Sequence, residues 1–249
     1  MIKFFRKIRQ NLLSEGKTRK YFKYAIGEII LVVVGILIAL WLNNLNSKNQ
    51  KRIEEISILK GLKKDFQEDI YDFKLNIWGY KRISSSVDFV LNRLESSAVY
   101  NDSLDSYFAG TIAWPRSIIH KNSFGVLKSK GLDLISNDSL RNAILNFHGQ
   151  VYTSIKTWED QFNRDIYFDE ILKRFDKVEP WRFDKDGKFH RGMMKPVNYN
   201  ALKTDTLYMS LLRTMKRDAE TLLYDSYLTL VKDLENLVAK IDKELVNLE

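Results

Sequence analysis

The sequence predicts a mainly α-helical protein: an N-terminal amphipathic helix, one transmembrane helix, and an elongated extracytoplasmic helical bundle with a small hairpin insertion. Three observations predict it. Residues 24–42, YAIGEIILVVVGILIALWL, form one continuous apolar run. Residues 56–94 and 223–248 each carry apolar side chains three and four apart, the spacing of one helix face. Between these two stretches, residues 178–200 hold Pro180, Pro196 and an Asp186-Gly187 pair flanked by alternating apolar residues, which reads as a hairpin. The expected divisions are a basic segment at 1–23, the span at 24–42 and one extracytoplasmic domain at 43–249.

The leader places Met1, Phe4, Phe5, Ile8 and Leu12 on one helical face, with basic residues around the other. Before Tyr24 stand Lys3, Arg6, Lys7, Arg9, Lys17, Arg19, Lys20 and Lys23 against one acid, Glu15, so nearly all of the formal charge of +8 lies in this tail. Positive charge confined to the flank of an apolar run is expected to meet anionic lipid headgroups, not a nucleic acid. It also orients the span, leaving the leader in the cytoplasm and the larger part of the chain outside.

As a helix rising ~1.5 Å per residue, the apolar run covers roughly 28 Å, the thickness of a bilayer's hydrocarbon core. Its length and the absence of a small-x-small site at Ala39-Leu40-Trp41 predict an uncleaved anchor. Within it Glu28, Gly35 and Ala39 share one face. Small residues four apart let helices approach closely in lipid, and an intramembrane carboxylate points to function or to pairing near the headgroups. These three residues are the expected seam for association with a second copy or a membrane-protein partner. The chain has no cysteine, which excludes disulfides, thiolate metal sites and cysteine nucleophiles.

Beyond the span, Ile56, Leu59, Lys63, Phe66, Ile70, Phe73, Ile77, Tyr80, Ser84, Val87, Leu91 and Leu94 follow a 3.5-residue repeat interrupted only at Lys63 and Ser84. Gly61 and Gly79 mark bends or close contacts. Short helices are expected after Asp102 or Ser103, stopped by Trp114-Pro115, and after Asn122-Ser123, ending at Gly131. Asn137 caps a longer helix to about Phe175, with Leu140, Ile144, Phe147, Val151, Ile155, Trp158, Phe162 and Ile166 as its core face. Thr204 or Asp205 opens the last helix, whose seam of Leu223, Tyr227, Leu230, Leu234, Leu237, Ile241 and Leu248 is broken by Glu244.

Catalytic chemistry is not indicated. His120, His148 and His190 lie in three segments without ligand spacing, and no phosphate loop or nucleophile elbow is present. Asp184-x-Asp186-Gly187 resembles a fragment of a calcium loop but lacks its remaining acidic ligands and carries Arg182 and Lys188. The carboxylates on helices read as solvated faces among lysines. No enzyme activity, metal or cofactor is expected.

The chain resembles the uncharacterised single-span membrane proteins of Bacteroidota grouped as domain-of-unknown-function family 6090. Met1-Ile2-Lys3-Phe4-Phe5-Arg6, Tyr24-Ala25-Ile26-Gly27-Glu28-Ile29 and Gly35-Ile36-Leu37-Ile38-Ala39-Leu40 carry the likeness, with an echo in Leu127-Lys128-Ser129-Lys130-Gly131-Leu132-Asp133-Leu134-Ile135. Where the family shows glutamine and then Asn-x-Trp-Asn after the span, this chain has Trp41 and Asn43-Asn44-Leu45-Asn46. The resemblance implies an inner (cytoplasmic) membrane and a periplasmic domain, and no activity. The expected function is that of a membrane-anchored structural or interaction protein, an oligomeric scaffold or accessory subunit of an envelope complex. Two alternatives are a ligand-sensing helical bundle that relays to a partner and a stator-like subunit in which Glu28 titrates.

Overall fold

A computed structural model describes residues 18–161, 164–186 and 188–249. The chain divides into two compact units, Met1–Glu54 and Glu55–Glu249. Helix α1 (Thr18–Glu95) supplies the described part of the first unit. The leader helix expected over residues 1–13 lies outside the described residues.

In the second unit the chain is mainly helical. It runs through α2 (Asp105–Thr111), α3 (Asn122–Lys130), α4 (Asp138–Asn146), a π-helical turn (Phe147–Val151), α5 (Tyr152–Gln161) and α6 (Arg164–Leu172). Four short strands come next, β1 (Phe175–Glu179), β2 (Arg182–Phe183), β3 (Phe189–His190) and β4 (Met193–Pro196). The chain ends in α7 (Tyr199–Leu202), α8 (Thr206–Thr221), a second π-helical turn (Leu222–Tyr227) and α9 (Leu228–Leu248).

The expected apolar repeat on α1 is buried at Leu59, Phe66, Phe73, Tyr80, Val87, Leu91 and Leu94, and half-buried at Ile56, Ile70 and Ile77. Its two polar exceptions, and Glu244 in the seam of the last helix, make contacts to other helices. Lys63 Nζ lies 2.6 Å from Asp242, Ser84 Oγ donates to Glu220 at 2.6 Å, and Glu244 accepts from Asn137 Nδ2 at 2.6 Å. Ion pairs Lys60–Glu249, Lys74–Glu235, Lys216–Asp88 and Arg213–Glu95 climb one helix as they descend the other, so α8 and α9 run antiparallel to α1. Solvent-exposed pairs of this kind contribute about 0–1 kcal/mol each. They record the register that the apolar contacts set.

The buried face of α1 is wider than a two-helix seam. Ile58, Leu62, Ile83 and Val90 are also enclosed, because segments from several parts of the chain pack on it. Gly61 and Gly79 are places of close approach: a Cβ at Gly61 would stand 2.7 Å from Ser123 Oγ, and one at Gly79 3.0 Å from Pro115 Cγ.

Three expectations are corrected. The helix expected to reach Phe175 ends at Leu172, and Phe175 opens β1, where its ring packs 5.2 Å from Phe108 and 6.0 Å from Tyr208. The same helix does not keep one apolar face. The π turn at 147–151 admits an extra residue, rotating α5 by ~100° relative to an unbroken α-helix. Tyr152 and Glu159 therefore turn inward, 1 % exposed each, and Trp158 is left 39 % exposed. Phe162 lies outside the described residues. Finally, Gly131 has φ +105° and ψ 136°, a positive-φ break rather than the left-handed cap expected there.

The hairpin is present in two tiers, β1 with β4 and, beyond it, β2 with β3. Trp181 and Phe189 from the second tier pack 5.7 and 5.0 Å from Trp78 on α1. Asp184 binds within the hairpin tip: it accepts from the backbone N–H groups of Asp186 at 3.0 Å and Lys188 at 2.8 Å, and from His190 Nε2 at 2.8 Å. These bonds hold its carboxyl below the usual carboxylate range, His190 contributing most. Its place in the sequence is thus explained by turn chemistry.

Candidate functional site

Two features rise above ordinary packing. The first is the apolar part of α1. Thirteen large apolar side chains between Ile26 and Leu42 are 47–70 % exposed. By length and composition this stretch is able to cross a membrane. Glu28 lies half-exposed within it, and Gly35 and Ala39 are exposed. A Cβ placed on Gly35 would meet nothing within 4 Å, so the space beside it is open. Of the basic residues expected at lipid headgroups, Lys3, Arg6, Lys7, Arg9 and Lys17 lie outside the described residues. Arg19 and Lys20 are in the first turn of α1, and Lys23 is exposed one turn on.

The second feature is one the sequence does not signal. The carboxylates of α1 do not form a solvated face throughout: Glu55, Asp65 and Asp69 are 4, 7 and 0 % exposed. Their partners lie on the strap at 112–121 and the turns beyond it, where the backbone has few partners of its own. A buried N–H left unpaired is costly, and here acidic side chains accept what a helix or sheet would otherwise take. Glu159 on α5 accepts from the Ser117 N–H at 2.8 Å, Asp72 from Ile118 at 2.9 Å, and Asp69 from His120 at 2.8 Å. Asp65 accepts from Ser123 at 2.8 Å, and Glu55 from the N–H and hydroxyl of Ser136 at 2.6 and 2.8 Å.

Around Asp69 and Glu159 the acceptors are shared with tyrosines. Tyr152 donates its hydroxyl to Asp69 at 2.5 Å, and Tyr227 donates to Glu159. Lys156 pairs with the other Glu159 oxygen at 3.1 Å and donates to the Ser117 carbonyl. Tyr80 donates to the Pro115 carbonyl at 2.9 Å. Burial pushes the Asp69 carboxyl above the ordinary range, and the bonds from Tyr152 and His120 pull it partly back. Burial raises Asp72 as well, against the Ile118 N–H.

His120 Nδ1 lies 2.8 Å from Asp69 and Nε2 lies 3.6 Å from Glu68. The Asp69 bond raises its pKa above the usual histidine value. An Asp-His pair could serve a nucleophile, but both ring nitrogens here face carboxylates. The arrangement pins the strap to α1.

His148 is 7 % exposed, stacked on Phe124 at 4.0 Å and 9°. Neither ring nitrogen has a hydrogen-bond partner. Burial, reinforced by Lys121 and Lys128, lowers its pKa to about 4, so it packs as a neutral aromatic ring. Among the described residues no group of three or more His, Cys, Asp or Glu is arranged to hold a metal.

No spacing rule signals the acid clamps. Glu55, Asp65, Asp69 and Asp72 resemble solvated helix residues until the strap is seen across from them.

No curated protein and no solved structure matches this chain. The family of unknown function DUF6090 matches residues 28–215, most of the chain, from Glu28 through the acid clamps and into α8, and the chain belongs to that family.

Proposed function

We propose that this protein is a membrane-anchored interaction protein, a scaffold or accessory subunit of an envelope complex, and not an enzyme. Residues 24–42 cross the inner membrane once, the basic leader stays in the cytoplasm against anionic lipid, and residues 43–249 stand in the periplasm as a helical bundle. The span associates with a second copy or a membrane-protein partner along Glu28, Gly35 and Ala39.

The observation that carries this reading is the exposed apolar surface between Ile26 and Leu42. A side chain of this kind gains about 1.5–3 kcal/mol on full transfer out of water. Thirteen of them on one stretch form an exposed apolar surface of the kind that lipid or a partner covers. Gly35 and Ala39, small and four residues apart, suit close helix approach there.

Crosslinking of the full chain in native membranes tests the association, with recovery of whatever co-purifies. The expected result is a crosslinked species lost in Gly35→Leu. Monomer alone, with Gly35→Leu unchanged and no co-purifying protein, would overturn it. Protease added to intact spheroplasts tests the topology, and a chain left untrimmed would reverse the orientation.

A further inference from the structure

His148 lies in the first π-helical turn with both ring nitrogens enclosed and unbonded. His120 and His190 differ, each having a carboxylate at 2.8 Å. Three rings close around His148: Phe124 from α3 stacks on it at 4.0 Å, Phe66 from α1 lies 5.4 Å away, and Tyr152 from α5 meets it edge-on at 5.3 Å. Of the three only Phe124 is half-buried, so α3 is the side on which the enclosure meets solvent.

The charged groups facing the ring are Lys121 at the end of the strap, Asp65 on α1 and Lys128 on α3. The two lysines repel a further positive charge, and Asp65 is already taken by the Ser123 N–H at 2.8 Å. On α5 the Tyr152 hydroxyl is turned to Asp69. A proton arriving on His148 therefore makes an enclosed cation without a free acceptor, the most costly kind of polar burial. Uncovering the ring relieves it. The cover is small: α3 is anchored by Phe124, by the buried Leu127 and by the Ser123 bond, while Val126 is exposed. Segments with few buried contacts open locally while the rest of a domain stays folded.

We propose that His148 and α3 form an acid-sensitive latch, in which the neutral imidazole holds Phe124 and protonation releases α3 between Ser123 and Gly131. Burial lowers the closed His148 to about 4, against an ordinary 6.5 once uncovered, so falling pH favours the open state. The strap beside it responds the other way. Asp69, Asp72 and His120 are all raised in the fold, so its closed form binds protons more tightly and acid does not release it. The proposal is independent of how the span associates.

The test is hydrogen exchange of the full chain in lipid nanodiscs, with rates corrected for the intrinsic effect of pH. From about pH 7.5 to about pH 5, protection of α3 is expected to fall about thirtyfold, while the amides of Ile118 and His120 and those of α9 keep theirs. The fall disappears in His148→Phe, whose ring stacks on Phe124 but takes no proton. Unchanged protection of α3 in the unsubstituted protein, a fall that persists in His148→Phe, or an equal fall in α9 would overturn the proposal. Titration of the His148 ring carbons by NMR in the unsubstituted protein gives a second reading that does not depend on the variant folding. A midpoint well below 6.5 is expected, and one at or above 6.5 would overturn the latch.

Discussion

The hydroxyl of Tyr152 and the backbone N–H of His120 both end on the carboxylate of Asp69, at 2.5 and 2.8 Å, joining α5, the strap and α1 at one side chain. Removing that acceptor strands two donors inside the protein. Asp69→Ala is expected to destabilise by about 3–5 kcal/mol, the range for breaking a buried charged hydrogen-bond cluster from one side. Tyr152→Phe leaves the N–H bond in place and should cost about 1–2 kcal/mol. Denaturant unfolding of the two variants checks the order, and equal losses would contradict it.

The pH response of His148 and His120 should be opposite in sign. The unfolded histidine titrates near 6.5, whereas folded His148 stays neutral down to about 4. Its contribution is therefore fully present above pH ~6.5 and lost as pH falls toward 4. His120 has a raised folded pKa, so its contribution is fully present below pH ~6.5 and lost as pH rises through the folded value. Melting temperatures across roughly pH 4–8 should show His148→Phe flattening the acid side of the profile and His120→Gln the neutral side. A His148→Phe profile parallel to wild type throughout would refute the assignment.

Polar interruptions in the seam should be replaceable, unlike the apolar positions beside them. Lys63 and Asp242 are 31 and 47 % exposed, so Lys63→Leu is expected to change stability by less than ~1 kcal/mol. Phe66, one turn away and fully buried, should cost about 3–5 kcal/mol as alanine. Chemical denaturation distinguishes the two directly.

Excising Gly149 tests the first π turn. The shortened segment can close as regular α-helix, rotating α5 by ~100° and withdrawing Tyr152 and Glu159 from Asp69 and Ser117. The expected outcome is loss of several kcal/mol, with Trp158 fluorescence shifting as the ring turns toward the interior. A variant as stable as wild type with unchanged emission would show that the turn does not set the face of α5.

Much of the framework is legible because it is periodic. The three-four spacing from Ile56 to Leu94 and from Leu223 to Ile241 depends only on the pitch of a helix, and a buried stripe must repeat at that pitch wherever the partner stands. Asn137 and Asp205, with side chains accepting from Leu140 and Tyr208, cap their helices as local chemistry predicts. The apolar run at 24–42 is equally plain, since its length and composition are read directly from the chain.

Tertiary structure alone decided the meaning of the carboxylates and the phase of the middle helix. Asp65 and Asp69 sit among lysines in the sequence, yet their acceptors are needed by N–H groups more than fifty residues away, on a strap with few hydrogen-bond partners of its own. A π turn has the same composition as the helix around it and depends on neighbours holding the wider ring in place, so Trp158 reads as core from spacing and stands at the surface in the fold. Local periodicity travels with the chain. Pairing between distant polar groups, and the choice of which face a helix buries after an inserted residue, exist only once the parts are folded together.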